Sequence, residues 1–310
     1  MRHGRCLSRV VSPDADPNNE VPIVPGPLHV VELTAPIGTW RLSVAPPAPA
    51  LAGAVVEYWE VQGALTPFRE TLLPNGALEV MVNLGPPHQL HRPGGVETWE
   101  RSWLSGLHEH SLIIESAHGT HLVSARLHPL GAAALLGLCA PASANAVVDL
   151  EALFGPDAAA LRASLLAAPG PPARFELLER FLLGRREEGE AAPHFVREAV
   201  ARIDQAHGRV PVSRLHQELG VSRKHLAVAF RRHLGVPAKA YARVRRFVWT
   251  LDQLRQTSEP DWSRLAGEAG YSDQSHLVRD FRRIGAASPT EYLRRRTPDG
   301  SALLETPEPR

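Results

Sequence analysis

Val212-Ser-Arg-Leu-His-Gln-Glu-Leu-Gly-Val-Ser222 and Trp262-Ser-Arg-Leu-Ala-Gly-Glu-Ala-Gly-Tyr-Ser272 are one unit written twice, fifty residues apart. Leu215, Gly220 and Ser222 recur as Leu265, Gly270 and Ser272. One extra residue follows, so Leu226 pairs with Leu277, Phe230 with Phe281 and Tyr241 with Tyr292 at an offset of fifty-one. A repeat of this kind identifies a supersecondary unit.

The spacing has a physical reading. A first helix, Val212 to Leu219 or Trp262 to Ala269, stops at a glycine that can take positive φ without steric cost. Ser222 or Ser272 is expected to cap the next helix by accepting hydrogen bonds from its free N–H groups. Leu226 and Phe230, four apart, share one face and lock the second helix onto the first, as do Leu277 and Phe281. The opposite face is left to enter a major groove. Plain αα-hairpins would show the same helices, so the charge decides. Residues 190–296 carry 20 Lys+Arg against 11 acids, net +9, while residues 1–189 carry 13 Arg and no Lys against 19 acids, net −6. Residues 297–310 add −2. Two hairpins in register inside a basic block point to DNA. Between them Tyr241, Val244, Phe247, Val248, Leu251 and Leu254 form one stripe across Ala238 to Gln256, the pattern of a bracing helix. Arg243, Arg245, Arg246 and Arg255 lie off that stripe, and some of them are expected to reach phosphates.

The rest of the chain is different. Of its 310 residues, 44% are hydrophobic and 22% charged, ordinary for a soluble globular protein with room for two domains. Cys6 and Cys139 are the only cysteines, which excludes a disulfide framework or a Cys-rich zinc site. The longest apolar stretch, Gly131 to Ala142, is broken by Gly137 and Pro141 and is too short for a bilayer. The basic start, Met1 to Arg5, leads into Asp14 to Glu20 rather than an apolar region, so a cytoplasmic protein is expected. From Val30 to Ser124, short β-prone runs such as Leu78 to Leu84 and Ser111 to Glu115 alternate with turns at Pro74-Asn75-Gly76 and Pro93-Gly94-Gly95, as in a barrel or sandwich. After Pro129 helices are expected over Gly131 to Leu138, Ala158 to Leu166 and Arg174 to Arg185, with Pro141, Gly155-Pro156 and Pro169-Gly170-Pro171-Pro172 as breakers. Phe175, Leu178, Phe181 and Leu182 should bury one face of the third.

Chemistry in this half is sparse. His108-Glu109-His110 followed by Glu115 resembles the first half of a cupin metal motif, but the expected glycine is displaced and no second half follows. A polar loop is the plainer reading, and a cupin-type metal-dependent enzyme fused to a DNA-binding domain is the alternative function. His88 and His91 read as surface residues, and Trp40, Trp59, Trp99 and Trp103 as core or barrel-rim residues. No Gly-rich phosphate loop, Gly-x-Ser-x-Gly elbow or Cys/His nucleophile pair occurs, so neither an enzyme nor a cofactor or metal is expected.

Over about 195–296 the chain resembles the AraC/XylS family of bacterial transcription regulators. The likeness is carried by Leu265-Ala-Gly-Glu-Ala-Gly-Tyr-Ser-Asp-Gln-Ser-His-Leu277 with Phe281-Arg-Arg283 and Ser288-Pro-Thr-Glu-Tyr292. It departs from the family at Ala286, where a glycine is usual and the glycine is instead Gly285, and at Pro237, one position early. Both lie in turns after the recognition helices. Residues 54–186 are similar to an uncharacterised domain that accompanies some of these regulators, through Leu73-Pro-Asn-Gly76, Val80 to Gly85 and Arg126 to Gly137. The resemblance implies an α+β multidomain protein: a β-rich cupin-like N-terminal domain with helices, then an all-α double helix-turn-helix domain. The boundaries expected are an arm at 1–28, a sensing or dimerising domain at 29–186, a linker at 187–194, the DNA-binding domain at 195–296 and a disordered tail at 297–310. Its partners would be double-stranded DNA, a small-molecule effector, RNA polymerase and a second copy of the chain, with no membrane.

With Leu226 and Phe230 inward, Arg223, Lys224, Ala227, Val228 and Arg231 face outward. The family places base contacts at Lys224, Ala227 and Val228. Lys224 can donate to guanine, whereas Ala227 and Val228 offer only apolar contact, for instance to a thymine methyl. Arg223 and Arg231 suit phosphates. In the second helix Gln274, Ser275, Val278 and Arg279 take the readout positions, Gln274 matching adenine and Arg279 guanine, while His276 sits against the DNA backbone.

Overall fold

The computed structural model describes residues 26–137, 140–185 and 192–305. The N-terminal half runs through β1 (His29–Ala35), β2 (Gly38–Ala45), β3 (Val55–Leu65), β4 (Phe68–Leu72), β5 (Leu78–Asn83), β6 (His88–Arg92), β7 (Gly95–Trp99), β8 (Ser102–Ser105), β9 (Leu112–Ser116) and β10 (Thr120–Leu127). Helices α1 (Pro129–Leu136) and α2 (Ala140–Ser143) follow, then β11 (Val147–Asp149), α3 (Leu150–Phe154), α4 (Pro156–Ala167) and α5 (Pro171–Gly184). One antiparallel sheet has the order β1-β2-β3-β10-β5-β8-β11. Period-two alternation sends Tyr58, Val80, Leu104 and Ala125 to one face of it, where they are fully buried beneath Phe175, Leu178 and Leu182 of α5. Burying each of those three α5 side chains contributes about 1.5–3 kcal/mol. The opposite face carries Trp59, Met81 and Trp103 toward a second sheet of order β6-β7 at one end and β9 and β4 beyond.

The expected helices are present, but their starts are corrected. Pro141, Pro156 and Pro171, expected as breakers, stand instead in the first turns of α2, α4 and α5, as Pro129 does in α1. A proline there loses no intrahelical bond, because the first-turn N–H groups have no partner anyway. His88 is a second correction. It lies on β6 facing inward, is 5% exposed, and burial holds its imidazole at about 4. His91 is half-buried with Nε2 3.0 Å from Glu115.

The C-terminal half is helical: α6 (His194–Gln205), α7 (Val212–Glu218), α8 (Arg223–Leu234), α9 (Ala238–Arg255), α10 (Trp262–Glu268), α11 (Gln274–Gly285) and α12 (Pro289–Arg295). The tail expected to be disordered is instead placed against the first half. Ala302–Leu304 forms β12, antiparallel to β4, so the second sheet reads β12-β4-β9-β6-β7. Gly300 at φ +71° makes the turn, Leu303 buries its side chain, and Glu305 pairs with Arg69 at 3.0 Å. The short apolar run Ala302-Leu303-Leu304 supplies the burial that a polar tail would lack. The expected arm lies, but for residues 26–28, outside the described residues, as do Cys6, Cys139 and most of the expected linker. Among the described residues no helix is long and apolar enough to cross a membrane.

Candidate nucleic-acid interface

Each repeat folds as a helix, a tight glycine turn and a second helix. Gly220 and Gly270 take φ +67° and +75° after α7 and α10. Ser222 caps α8, its Oγ accepting from the His225 N–H at 3.1 Å. In the second unit the cap is corrected from Ser272 to Asp273, whose Oδ1 accepts from the His276 N–H at 2.7 Å. Ser272 instead donates to Asp273 Oδ2 at 2.9 Å. The residue inserted between the repeats is therefore the cap itself, and the offset of fifty-one already holds at Ser222 and Asp273. It holds again at the helix ends, where Gly235 (φ +78°) and Ala286 (φ +55°) both take the left-handed conformation. Here the departure at Ala286 is explained. A Cβ on Gly285 would stand 2.9 Å from Phe247 Cζ and 3.2 Å from Leu73 Cδ2, so glycine is needed for packing inside the helix. Alanine then occupies the turn, at a cost of about 1 kcal/mol.

Helix α9, about 27 Å long, packs against both α8 and α11. Tyr241, Val244, Phe247, Leu251 and Leu254 of the stripe are buried, and Phe247 meets Phe281 edge to face at 4.8 Å. Three of its arginines, expected on sequence to face phosphates in part, hold protein groups. Arg246 donates to the carbonyls of Gly208 (3.1 Å) and Gly270 (3.2 Å), joining the entrance of the first unit to the turn of the second. Arg209 adds a bond to the Glu268 carbonyl at 2.7 Å, so two guanidiniums close on the C-terminal end of α10, where its dipole is negative. Arg245 pairs with Asp204 at 2.7 Å, and Arg255 with Asp252 at 2.6 Å. Asp204 also accepts from Tyr241 Oη at 2.8 Å and faces His128 Nε2 at 3.3 Å, linking the two halves of the chain. Burial pushes the Tyr241 hydroxyl well up, which keeps it a donor to Asp204.

Arg223, Lys224, Ala227, Val228 and Arg231 are all exposed on α8, and Val228 keeps 58% of its surface open. On α11 Gln274, Ser275 and Arg279 are exposed, while His276 and Val278 are half-buried. Gln274 Nε2 donates to Ser263 Oγ at 2.7 Å, so its amide is aimed by α10. The His276 ring packs edge-on against Tyr271 at 5.1 Å, with Nδ1 3.2 Å from Ser272 Oγ. Leu226, Phe230, Leu277 and Phe281 are buried, so the inward and outward faces fall as the spacing requires.

A helix-turn-helix domain model matches residues 215–295. Residues 215–295 are an AraC-type helix-turn-helix domain. That domain supports the reading of the chain as a transcription regulator. A domain of unknown function (DUF6597) matches residues 43–149 ahead of the AraC-type domain. Solved structures similar to the chain include ToxT from Vibrio cholerae, at 12% identity over 76% of this chain and 97% of that one, with a TM-score of 0.47. They also include ToxT with an unsaturated fatty acid bound (11% identity, 76% and 94% covered, TM-score 0.46). The AraC-like transcriptional activator CuxR follows, at 14% identity, 72% and 86% covered, with a TM-score of 0.28. No curated protein matches the chain.

The cupin-like ligands are not brought together. His108 is buried with Nε2 3.1 Å from Ser105 Oγ, whereas His110 reaches the AraC-type domain and donates from Nδ1 to the Arg283 carbonyl at 2.8 Å. Glu115 is spent on His91. Among the described residues no group of three or more His, Cys, Asp or Glu side chains is placed to hold a metal ion. Reading the repeat missed Asp273, Arg209 and Asp204, and it gave Arg246 to the basic face rather than to the carbonyls it holds. Asp273 was within reach, since the offset changes beside it. The others act across long sequence separations that no local pattern records.

Proposed function

We propose that this protein is a sequence-specific regulator that reads two adjacent major-groove segments with α8 and α11. The observation that carries it is the pairing of two capped helices, braced on one α9, whose outward faces bear Arg223, Lys224 and Arg231 on one and Gln274, Ser275 and Arg279 on the other. Lys224 and Arg279 donate to guanine and Gln274 to adenine, Ala227 and Val228 touch a thymine methyl, and Arg223, Arg231 and His276 hold the backbone. A small-molecule effector controls it from the N-terminal domain. His88 Nε2, Trp99 Nε1 and Ser124 Oγ support this, being buried without hydrogen-bond partners among the described residues, and both rings contact Trp103 between the sheets. Buried polar atoms in that position call for water or a ligand.

Fluorescence anisotropy of labelled duplex DNA against salt tests the reading. Because phosphate contacts release counterions, the affinity is expected to fall steeply between roughly 50 and 200 mM salt. A titration that stays flat contradicts groove binding.

A further inference from the structure

The loop joining β8 to β9, residues 106–111, has a position that the metal-like motif within it does not explain. Gly106 presses against α2, since a Cβ there would stand 1.6 Å from the Ser143 carbonyl. His108 turns back into the N-terminal domain, where Glu79 and Arg92 are its charged neighbours. Glu109 is held twice by Asn145. Its N–H donates to Asn145 Oδ1 at 2.7 Å, and its carboxylate accepts from Asn145 Nδ2 at 3.2 Å. Asn145 follows α2, which packs on the end of α8: a Cβ on Gly235 would meet the Ala140 carbonyl at 2.5 Å and Ala144 Cβ at 2.6 Å. The next two residues reach the other recognition helix. His110 Nδ1 donates to the Arg283 carbonyl and the Ser111 N–H to the Ile284 carbonyl, each at 2.8 Å. Last-turn carbonyls have no partner within their own helix, and the helix dipole favours donors there.

We infer that residues 106–111 are a clamp by which the N-terminal domain fixes the pose of both recognition helices, with Glu109 and His110 as its positioning residues. Glu109 acts on α8 through Asn145 and α2, and His110 acts on α11 directly. The inference rests on the two-segment reading above. Binding both segments at once depends on the effective concentration of the second helix over its segment, which a loosened hold on α11 lowers. A duplex carrying one segment makes no such demand.

The test uses the full chain and a duplex selected from a random library, beside the same duplex with one segment scrambled. The scrambled segment is the one whose preference changes in Arg279→Ala. His110→Ala is expected to weaken binding to the intact duplex about fivefold, the worth of one hydrogen bond, and to leave the scrambled duplex unchanged. His110→Gln, whose amide can still donate to Arg283, should recover most of the loss. Equal weakening on both duplexes, no recovery with glutamine, or unchanged or tighter binding would overturn the clamp. A second readout needs no DNA: in His110→Ala the last-turn amides of α11 should exchange hydrogen faster while those of α8 do not. Unchanged exchange in α11 overturns the clamp too. If the wild-type chain selects no duplex, the two-segment reading fails by itself, and the exchange result still decides the clamp.

Discussion

The two recognition helices share a length, a capping scheme and a buried face, yet their ends are closed by different means. Helix α8 is closed by neutral groups: Ser222 at its start, and Gly235 at its end, where the Gly235 N–H returns to the Arg231 carbonyl. Helix α11 starts on a charged cap, Asp273, ends on a strained alanine, and has two last-turn carbonyls taken by the N-terminal domain. The outward faces differ in the same sense, since α11 offers more hydrogen-bonding readers than α8, where Ala227 and Val228 adjoin Lys224. The packing repeats in both units, and both touch the N-terminal half, α8 by close packing on α2 and α11 by hydrogen bonds from the loop before β9.

Substitutions can break or sharpen this contrast. The largest effect belongs to the end of α8. Gly235→Ala forces a Cβ into a left-handed turn and onto the Ala140 carbonyl, and should cost about 2–4 kcal/mol in chemical denaturation. A loss below 1 kcal/mol would show that α2 is not seated there. Next comes readout: Arg279→Ala should cost about 1–3 kcal/mol of binding and relax preference at one base, while Arg223→Ala weakens specific and random DNA alike. Equal weakening by both variants would reduce Arg279 to a phosphate contact.

The caps separate the helices by pH. Ser222→Ala should cost about 1 kcal/mol at any pH. The His276 N–H, then the Ser272 hydroxyl, hold the Asp273 carboxyl below its ordinary range. A lowered folded value means that its contribution is present above the unfolded carboxyl's value, about pH 4, and is lost as pH falls through the lower folded one. Asp273→Asn should therefore remove part of the acid-dependent fall in melting temperature, and Ser222→Ala none of it. The smallest effect is at the end of α11, where Ala286→Gly should stabilise by about 0.5–1 kcal/mol by relieving its φ of +55°. Gly285→Ala, against Phe247 and Leu73, should destabilise. Reversed signs would mean that the glycine stands at 285 for some reason other than packing.

What was legible in the sequence is what repeats at helical spacing. Leu226, Phe230, Leu277, Phe281 and the two turn glycines carry their reason within about a dozen residues, and the outward positions follow from them. Ser272 was misread because the repeat was aligned one residue too far before its insertion. Arg246 reads as part of a basic face and Arg209 carries no pattern at all, because the partners of both are backbone carbonyls, which have no signature in the sequence. His88 reads as surface because it adjoins Pro86-Pro87, while its burial depends on Trp103 arriving from another sheet. The tail strand depends on β4, more than two hundred residues away.

Selection of duplexes from a random library by the full chain, followed by footprinting of the winner, tests the central claim most directly. The account predicts two information-bearing segments on one face of the DNA, centred about one helical turn apart, with the sharper base preference lying under α11. Selection of a single segment, or of no sequence at all, would contradict it.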